Sequence, residues 1–387
     1  MGRRSANDAV VRLTRVGTRV DRADAYQRQR AWLGFPLAVI YKFFDDSGNY
    51  LAAIVTYYAF IAIFPLLLLS ASILGFFLQG NPDLQHQLLN SALSQFPIIG
   101  DELGTKELHG SAVGIVVGGL AALYGALGLG QAIQNTVNIA WSVPKNSRFN
   151  PIVTRLRSII MLATAGLALL VGSIVTTLAT NTTALGKEPS EPVAWALSFI
   201  SVMLIGCMLT LLFRMATTRE HPLRNAAPGA FFLAISWQGL QWIGTQYVQH
   251  VIKGTSGMNA TFGLVLGLMG FLYLAAMFGV IGVEINVVLA RRLWPRALLT
   301  PFTDKVDLTD ADRRAYASYV LMQRHKGFQT IGVSFEGRDG TTYDVVMDPS
   351  WMQKVGSTVK RRRRNRIPDD HFSPHESFGP AEGDPDA

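Results

Sequence analysis

Apolar positions in this chain are gathered into long blocks separated by short polar segments, not spaced at the period of a strand or an amphipathic helix. Six such blocks lie at residues 51–78, 112–138, 158–180, 193–213, 226–252 and 258–292. Each holds roughly 20 or more residues, enough to cross a hydrocarbon core of about 30 Å as a helix. The sixth organises the rest. Its stretch 261–290 carries one charged side chain, Glu284, and it closes on Arg291, Arg292 and Trp294, anchors of the kind found at a water interface. Pro65 lies inside the first block and predicts a kink or break there. Gln238, Gln241 and Gln246 interrupt the fifth. Ahead of the first block, residues 31–44 are apolar but too short to span, and contain Pro36 and Lys42. They predict a helix lying in the inner interface, with a packed lead-in to the first span as the alternative.

The segments between and after the blocks are polar. In the loop 79–111, Leu84, Leu88 and Ala92 recur at helical spacing, which predicts a stretch lying on the outer surface. Beyond Pro301, Thr309 and Asp312 form a capping-box pattern for a short helix to about His325. Residues 331–347 read as a hairpin turning at Asp339-Gly340. Five consecutive cations follow at Lys360, Arg361, Arg362, Arg363 and Arg364, and from Pro368 the chain is rich in Pro, Asp, Glu, Ser and Gly, a composition that predicts disorder. The expected fold is an all-α polytopic membrane protein: six transmembrane helices, a small cytoplasmic C-terminal α+β appendage and a disordered tail. The expected divisions are a basic N-terminal segment at 1–48, a six-helix domain at 49–295, the appendage at 296–367 and the tail at 368–387.

Composition supports that class. The chain has 387 residues, 49% of them hydrophobic and only 16% charged, against about 25% charged in soluble domains. Lys and Arg number nine, one, four, one, three, one and sixteen in successive segments between the blocks. This alternation predicts an inner-membrane protein with both termini cytoplasmic. It also accounts for the net charge of +8 without a nucleic acid partner. No apolar core of signal-peptide type follows the first arginines, so a cleaved signal is not expected. The single cysteine, Cys207, rules out an intrachain disulfide, and a CxxC pair is absent. The histidines are scattered, and neither a metal nor a cofactor is expected.

Candidate chemistry is sparse. Glu284 reads either as a partner for an ion, a proton or a substrate headgroup, or as a buried carboxylate bonded to a helix or to an arginine of an inner loop. Asn286 points elsewhere on the same helix and is expected to bond a neighbour. Gln131, Gln134, Asn135 and Asn138 cluster at the inner end of the second block, with Gln131, Asn135 and Asn138 placed on one face by their spacing. Gln238 and Gln241 neighbour one another on the fifth block, facing the bundle. These eight residues predict a polar pathway or an interhelical network. The run 360–364 is expected to attract anionic lipid at about 1 kcal/mol per cation, and lacks the interleaved aromatics of single-strand recognition. No GxxxxGK[ST], GxSxG or HExxH motif occurs. Asp45-Asp46 reads as a pair with no basic or nucleophilic partner, and no enzyme is expected.

Four segments carry a resemblance. NYLAAIVTYYAFIAIFPLLLLSASILGFF from Asn49, AWSVPKNSRF from Ala140, APGAFFLAISWQGLQW from Ala227 and GVEINVVLARR from Gly282 resemble, in order, the YihY/BrkB family of bacterial inner-membrane proteins. The resemblance covers about residues 35–295. It implies a six-helix bundle and a role in envelope integrity, with the family's acidic position in the last helix at Glu284 and the asparagine after it at Asn286. Members formerly carried the label ribonuclease BN, which the family is held not to deserve, and no nuclease site is visible here. The expected function is transport or handling of a lipid or other envelope component. A non-transporting scaffold for envelope proteins is the alternative, and a ribonuclease the least favoured. Membrane lipids are the expected partners.

Overall fold

The computed structural model describes residues 22–77, 112–184, 191–218, 222–252, 258–298, 300, 302, 306–336 and 342–347. The expectations for the outer loop, the hairpin turn, the run 360–364 and the tail fall outside them. Residues 22–28 are helical and lead into α1 (Ala31–Asp45). Six long helices follow: α2 (Gly48–Phe77), α3 (Ala112–Ala140), α4 (Pro151–Ala184), α5 (Glu191–Ala216), α6 (Leu223–Tyr247) and α7 (Met258–Arg291). A π-helical turn, Val248–Ile252, extends α6. α8 (Asp310–Met322) and the strands β1 (Ile331–Glu336) and β2 (Thr342–Met347) complete the described chain.

The six long helices stand where the six apolar blocks are. Helical assignment runs on through Pro65, so the expected break does not occur. Proline costs a helix one backbone hydrogen bond, a loss tolerated in apolar surroundings where neighbouring groups or local adjustment re-satisfy the freed carbonyl. Each helix packs on the next in sequence, and α7 closes the ring against α2 while also carrying α1. Close approach depends on small residues. A Cβ on Gly125 would meet Ala62 backbone at 2.9 Å, and one on Gly130 would meet Ser158 Cβ at 2.5 Å. The tightest crossing pairs Gly229 of α6 with Gly282 of α7, where an added methyl on Gly229 would overlap the Gly282 carbonyl.

Two helices hold windows long and apolar enough to cross a membrane among the described residues: Phe199–Ala216, mean hydropathy 2.1, and Phe262–Arg291, mean hydropathy 2.4. Only 17% and 28% of these windows are buried, whereas the core helix of a soluble protein would be mostly covered. Leu123, Ile159, Phe199, Ile235 and Phe262 are exposed on the outside of the ring. α1 is similarly two-sided. Gly34, Ala38, Val39, Tyr41 and Lys42 are buried, while Trp32, Ile40 and Phe44 are exposed.

The end of the bundle carrying α1 is built from irregular backbone. Asn150 Oδ1 accepts from Val153 N at 2.8 Å, capping α4, whose first residue is Pro151, as helix starts favour. α3 and α7 end in 6→1 backbone bonds, Val143 N to Asn138 O at 2.8 Å and Leu293 N to Val288 O at 3.1 Å. The reversals pass through Ser142 and Arg292 at φ 47° and 52°, the αL stop of a helix. α8 begins with the expected capping box, Thr309 with Asp312. β1 and β2 pair antiparallel, Ile331 opposite Met347 and Glu336 opposite Thr342, as the hairpin pattern predicts.

Candidate functional site

Glu284 is fully buried, and its partner is Lys42 of α1. Lys42 Nζ lies 3.5 Å from Glu284 Oε2. It also bonds Asp46 Oδ2, four residues on, and donates to the Ala140 carbonyl at the end of α3, 3.0 Å away. The ring of Tyr319 from α8 lies 5.1 Å from Nζ. Ammonium, two carboxyls and phenol thus meet where α1, α3, α7 and α8 converge. The sequence offered an arginine of an inner loop as Glu284's possible partner. The cation is a lysine from the segment preceding the first span, because α1 packs directly on α7. Asp45-Asp46 likewise has basic partners after all, one for each carboxylate.

A second cluster adjoins the first through Asp45. Arg296 Nη1 donates to Asp45 Oδ2 at 2.6 Å, and Arg296 Nε to Asp312 Oδ1 at 2.7 Å. Asp312 Oδ2 accepts from Ala297 N at 2.9 Å and from Thr309 N at 3.0 Å, so one carboxylate caps α8 and holds the Arg296 segment. Tyr319 Oη donates to Asp45 Oδ2 at 3.4 Å, linking the clusters. Gln27 Nε2 donates to Arg296 O at 2.6 Å, and Asp24 Oδ1 accepts from Leu298 N at 2.7 Å. Ser142 and Ser318 hydroxyls lie 3.2 Å apart, and Asn146 N donates to Arg324 O at 3.1 Å. α8 is therefore bound into the end of the bundle.

Burial sets the electrostatics. It raises the pKa of Asp46 against the opposing pull of Lys42. Burial raises Tyr319 well above the ordinary phenol value, with Asp46 adding to it. Tyr316 is pushed up to about 12 by burial, with Arg296 pulling the other way. Arg296 is held firmly cationic by Asp45 and Asp312, which outweigh its desolvation.

The other expected site residues lie apart from this cluster. Asn286 Oδ1 accepts from Gly229 N at 2.7 Å and its amide donates to Ala226 O at 3.0 Å, across the α6–α7 crossing. Gln134 donates to Ser158 Oγ at 2.9 Å and Thr154 O at 3.0 Å on α4. Asn138 Oδ1 accepts from Thr218 N at 3.2 Å after α5. Asn135 is exposed and accepts from Arg148 at 3.0 Å. Gln131, like Gln238 and Gln241, is half-buried. The four amides of α3 therefore divide by depth: Gln134 and Asn138 are inside, while Asn135 and Gln131 are further out, because i and i+4 positions share a face. Sequence reasoning missed Lys42, Asp45, Asp46, Arg296 and Asp312. The i, i+4 spacing of Lys42 and Asp46 was the signal available.

Long apolar helices with exposed apolar flanks, tied together at one end by buried ion pairs, define a helical membrane protein. The family model Virulence factor BrkB matches residues 39–303, and the chain belongs to that family. An uncharacterized protein of Dickeya dadantii (strain 3937) is 26% identical, matching 61% of this chain and 76% of its own. Inner membrane protein YhjD of Escherichia coli (strain K12) is 27% identical over 61% of this chain and 74% of its own. Putative ribonuclease-like protein YfkH of Bacillus subtilis (strain 168) is 23% identical over 64% of this chain and 91% of its own. No solved structure matches. No enzymatic activity is known for the family.

Proposed function

We propose that this chain spans the inner membrane six times, with both termini cytoplasmic, and moves or handles a lipid or other envelope component. The division into a basic N-terminal segment, a membrane domain, an appendage and a tail belongs to the same reading. The observation that carries it is the wholly buried Glu284 within a 30-residue stretch of mean hydropathy 2.4, paired with a lysine of α1. Charge placed in an apolar helix is costly, and where present it usually serves ions or substrates. Glu284 lines the inner half of the route for a headgroup, while Asn286, Gln134 and Asn138 tie together the helices around it. Lys360 to Arg364 hold the tail to anionic lipid. The relative named as an inner membrane protein agrees in location.

Lipid translocation in proteoliposomes, comparing wild type with Glu284→Gln, tests this. Translocation lost in the variant supports a route through Glu284. Absence of translocation by folded wild type, with several headgroups tried, favours the scaffold. The scaffold has one observation of its own: α8 and the bundle share a buried network, a rigid platform for a partner. Because that network needs Asp312, the deletion that separates the readings removes 351–387 and spares α8. A scaffold acting through the tail loses function in that deletion, and a transporter keeps it. The ribonuclease named in one relative predicts RNA cleavage that follows this protein through purification.

A further inference from the structure

The Lys42 cluster holds one carboxyl more than its charge requires. Asp46 alone neutralises Lys42, and the two are bonded directly. Glu284 adds a second acid with no exposure to water. At 3.5 Å its contact with Nζ is an ion-pair distance, too long for a good hydrogen bond. Neither Glu284 oxygen accepts a hydrogen bond from any described residue. The neighbouring charges do not cure this. On α1 and the turn after it stand Lys42, Asp45 and Asp46. From α8 come Tyr319, Tyr316 and Asp312, and from the segment after α7 comes Arg296. α3 contributes only the Ala140 carbonyl, an acceptor. Arg296 is committed to Asp45 and Asp312, and Arg291 donates to the Trp141 carbonyl. The donor that Glu284 lacks is a proton. Protonation removes the surplus charge and turns an acceptor into a donor that the adjacent Asp46 carboxylate can take. Like-charged carboxyls sharing a dry site bind a proton in this way.

We propose that Lys42, Asp46 and Glu284 form a proton-binding site that holds one exchangeable proton between the two carboxyls, covered by Tyr319 of α8. The site deepens the transport reading by naming a coupling ion, and its use in transport rests on that reading. Its cytoplasmic approach lies through α1 and α8, the elements that meet at Lys42. Loss of the proton leaves two carboxylates facing one ammonium and favours separation of α1 from α7.

Infrared spectroscopy of the full chain in lipid at neutral pH tests the site without transport. The expected result is a carboxylic-acid carbonyl band, sensitive to deuterium exchange, in the wild type. Both Glu284→Gln and Asp46→Asn lose it, although each retains one carboxyl, because either leaves a balanced ion pair. Lys42→Met strengthens the band, since two carboxyls then go unpaired. A band absent from the wild type, or one that survives in Asp46→Asn, overturns the proposal. So does a sodium-dependent change in place of the carboxyl band. If a variant fails to fold, the wild type decides: the band must vanish as pH rises, with one proton released per chain, and a band indifferent to pH overturns the proposal. A carboxyl band without lipid translocation keeps the proton site and removes transport. Translocation without the band does the reverse.

Discussion

Lys42 and Glu284 are separated by most of the chain, yet their charged atoms lie 3.5 Å apart with no more than 1% of either side chain exposed. The pair fixes α1 to α7. Removing Lys42 leaves Asp46 and Glu284 with no cation, the situation in which a buried pair is broken on one side. Lys42→Ala is expected to destabilise by about 3–5 kcal/mol, while Glu284→Gln is expected to cost far less. Thermal unfolding in detergent compares the two, and equal losses would contradict the assignment.

Arg296 is the second anchor, bridging Asp45 and Asp312. Arg296→Ala leaves the fully buried Asp312 without its cation, and α8 is expected to come away from the bundle. Lysine does not restore it, because a point charge cannot make both directed bonds. Limited proteolysis reads this as new cleavage within 306–322, and hydrogen exchange as lost protection of α8.

The Gly229–Gly282 crossing admits no side chain. Gly229→Ala places a methyl onto the Gly282 carbonyl, a backbone atom that cannot rotate away. Overpacking of this kind typically costs about 1–3 kcal/mol or more. Asn286→Ala at the same crossing removes two bonds between α7 and α6, from Gly229 N–H to Oδ1 and from the amide to Ala226 C=O, at about 0.5–1.5 kcal/mol each. Both are expected to lower the unfolding temperature.

Ser47 is exposed and sits at φ 56° between α1 and α2. An L-residue pays about 1–2 kcal/mol in this region that glycine does not, partly offset by glycine's greater freedom when unfolded. Ser47→Gly is expected to raise stability modestly, by about 0.5–1 kcal/mol. A lowered midpoint would show that the hydroxyl matters.

Tyr316 carries a pKa of about 12 against an ordinary 10.0. The unfolded chain therefore loses this proton first as pH rises. The contribution of the neutral phenol is fully present below pH 10.0, and it is lost as pH climbs toward about 12. Alkaline unfolding should be displaced upward in pH in Tyr316→Phe, with one phenolate transition missing from the absorbance titration.

The sequence by itself determined the six long helices, their order, the Thr309 cap and the β1–β2 pairing. These rest on local matters: block length, cap spacing and alternation within a few residues. It also marked Glu284, since a lone acid in an apolar stretch needs no structure to be seen. Only the tertiary structure decided what Glu284 meets. Lys42 reads as part of an interfacial helix and Asp45-Asp46 as a pair with no basic partner until α1 is laid against α7. Arg296 looks like one more cytoplasmic cation until α8 returns with Asp312. Charge in a sequence carries no address. A buried ion pair forms between residues that the packing of distant helices brings out of water together, and that packing depends on contacts such as Gly229 on Gly282, which no local pattern specifies.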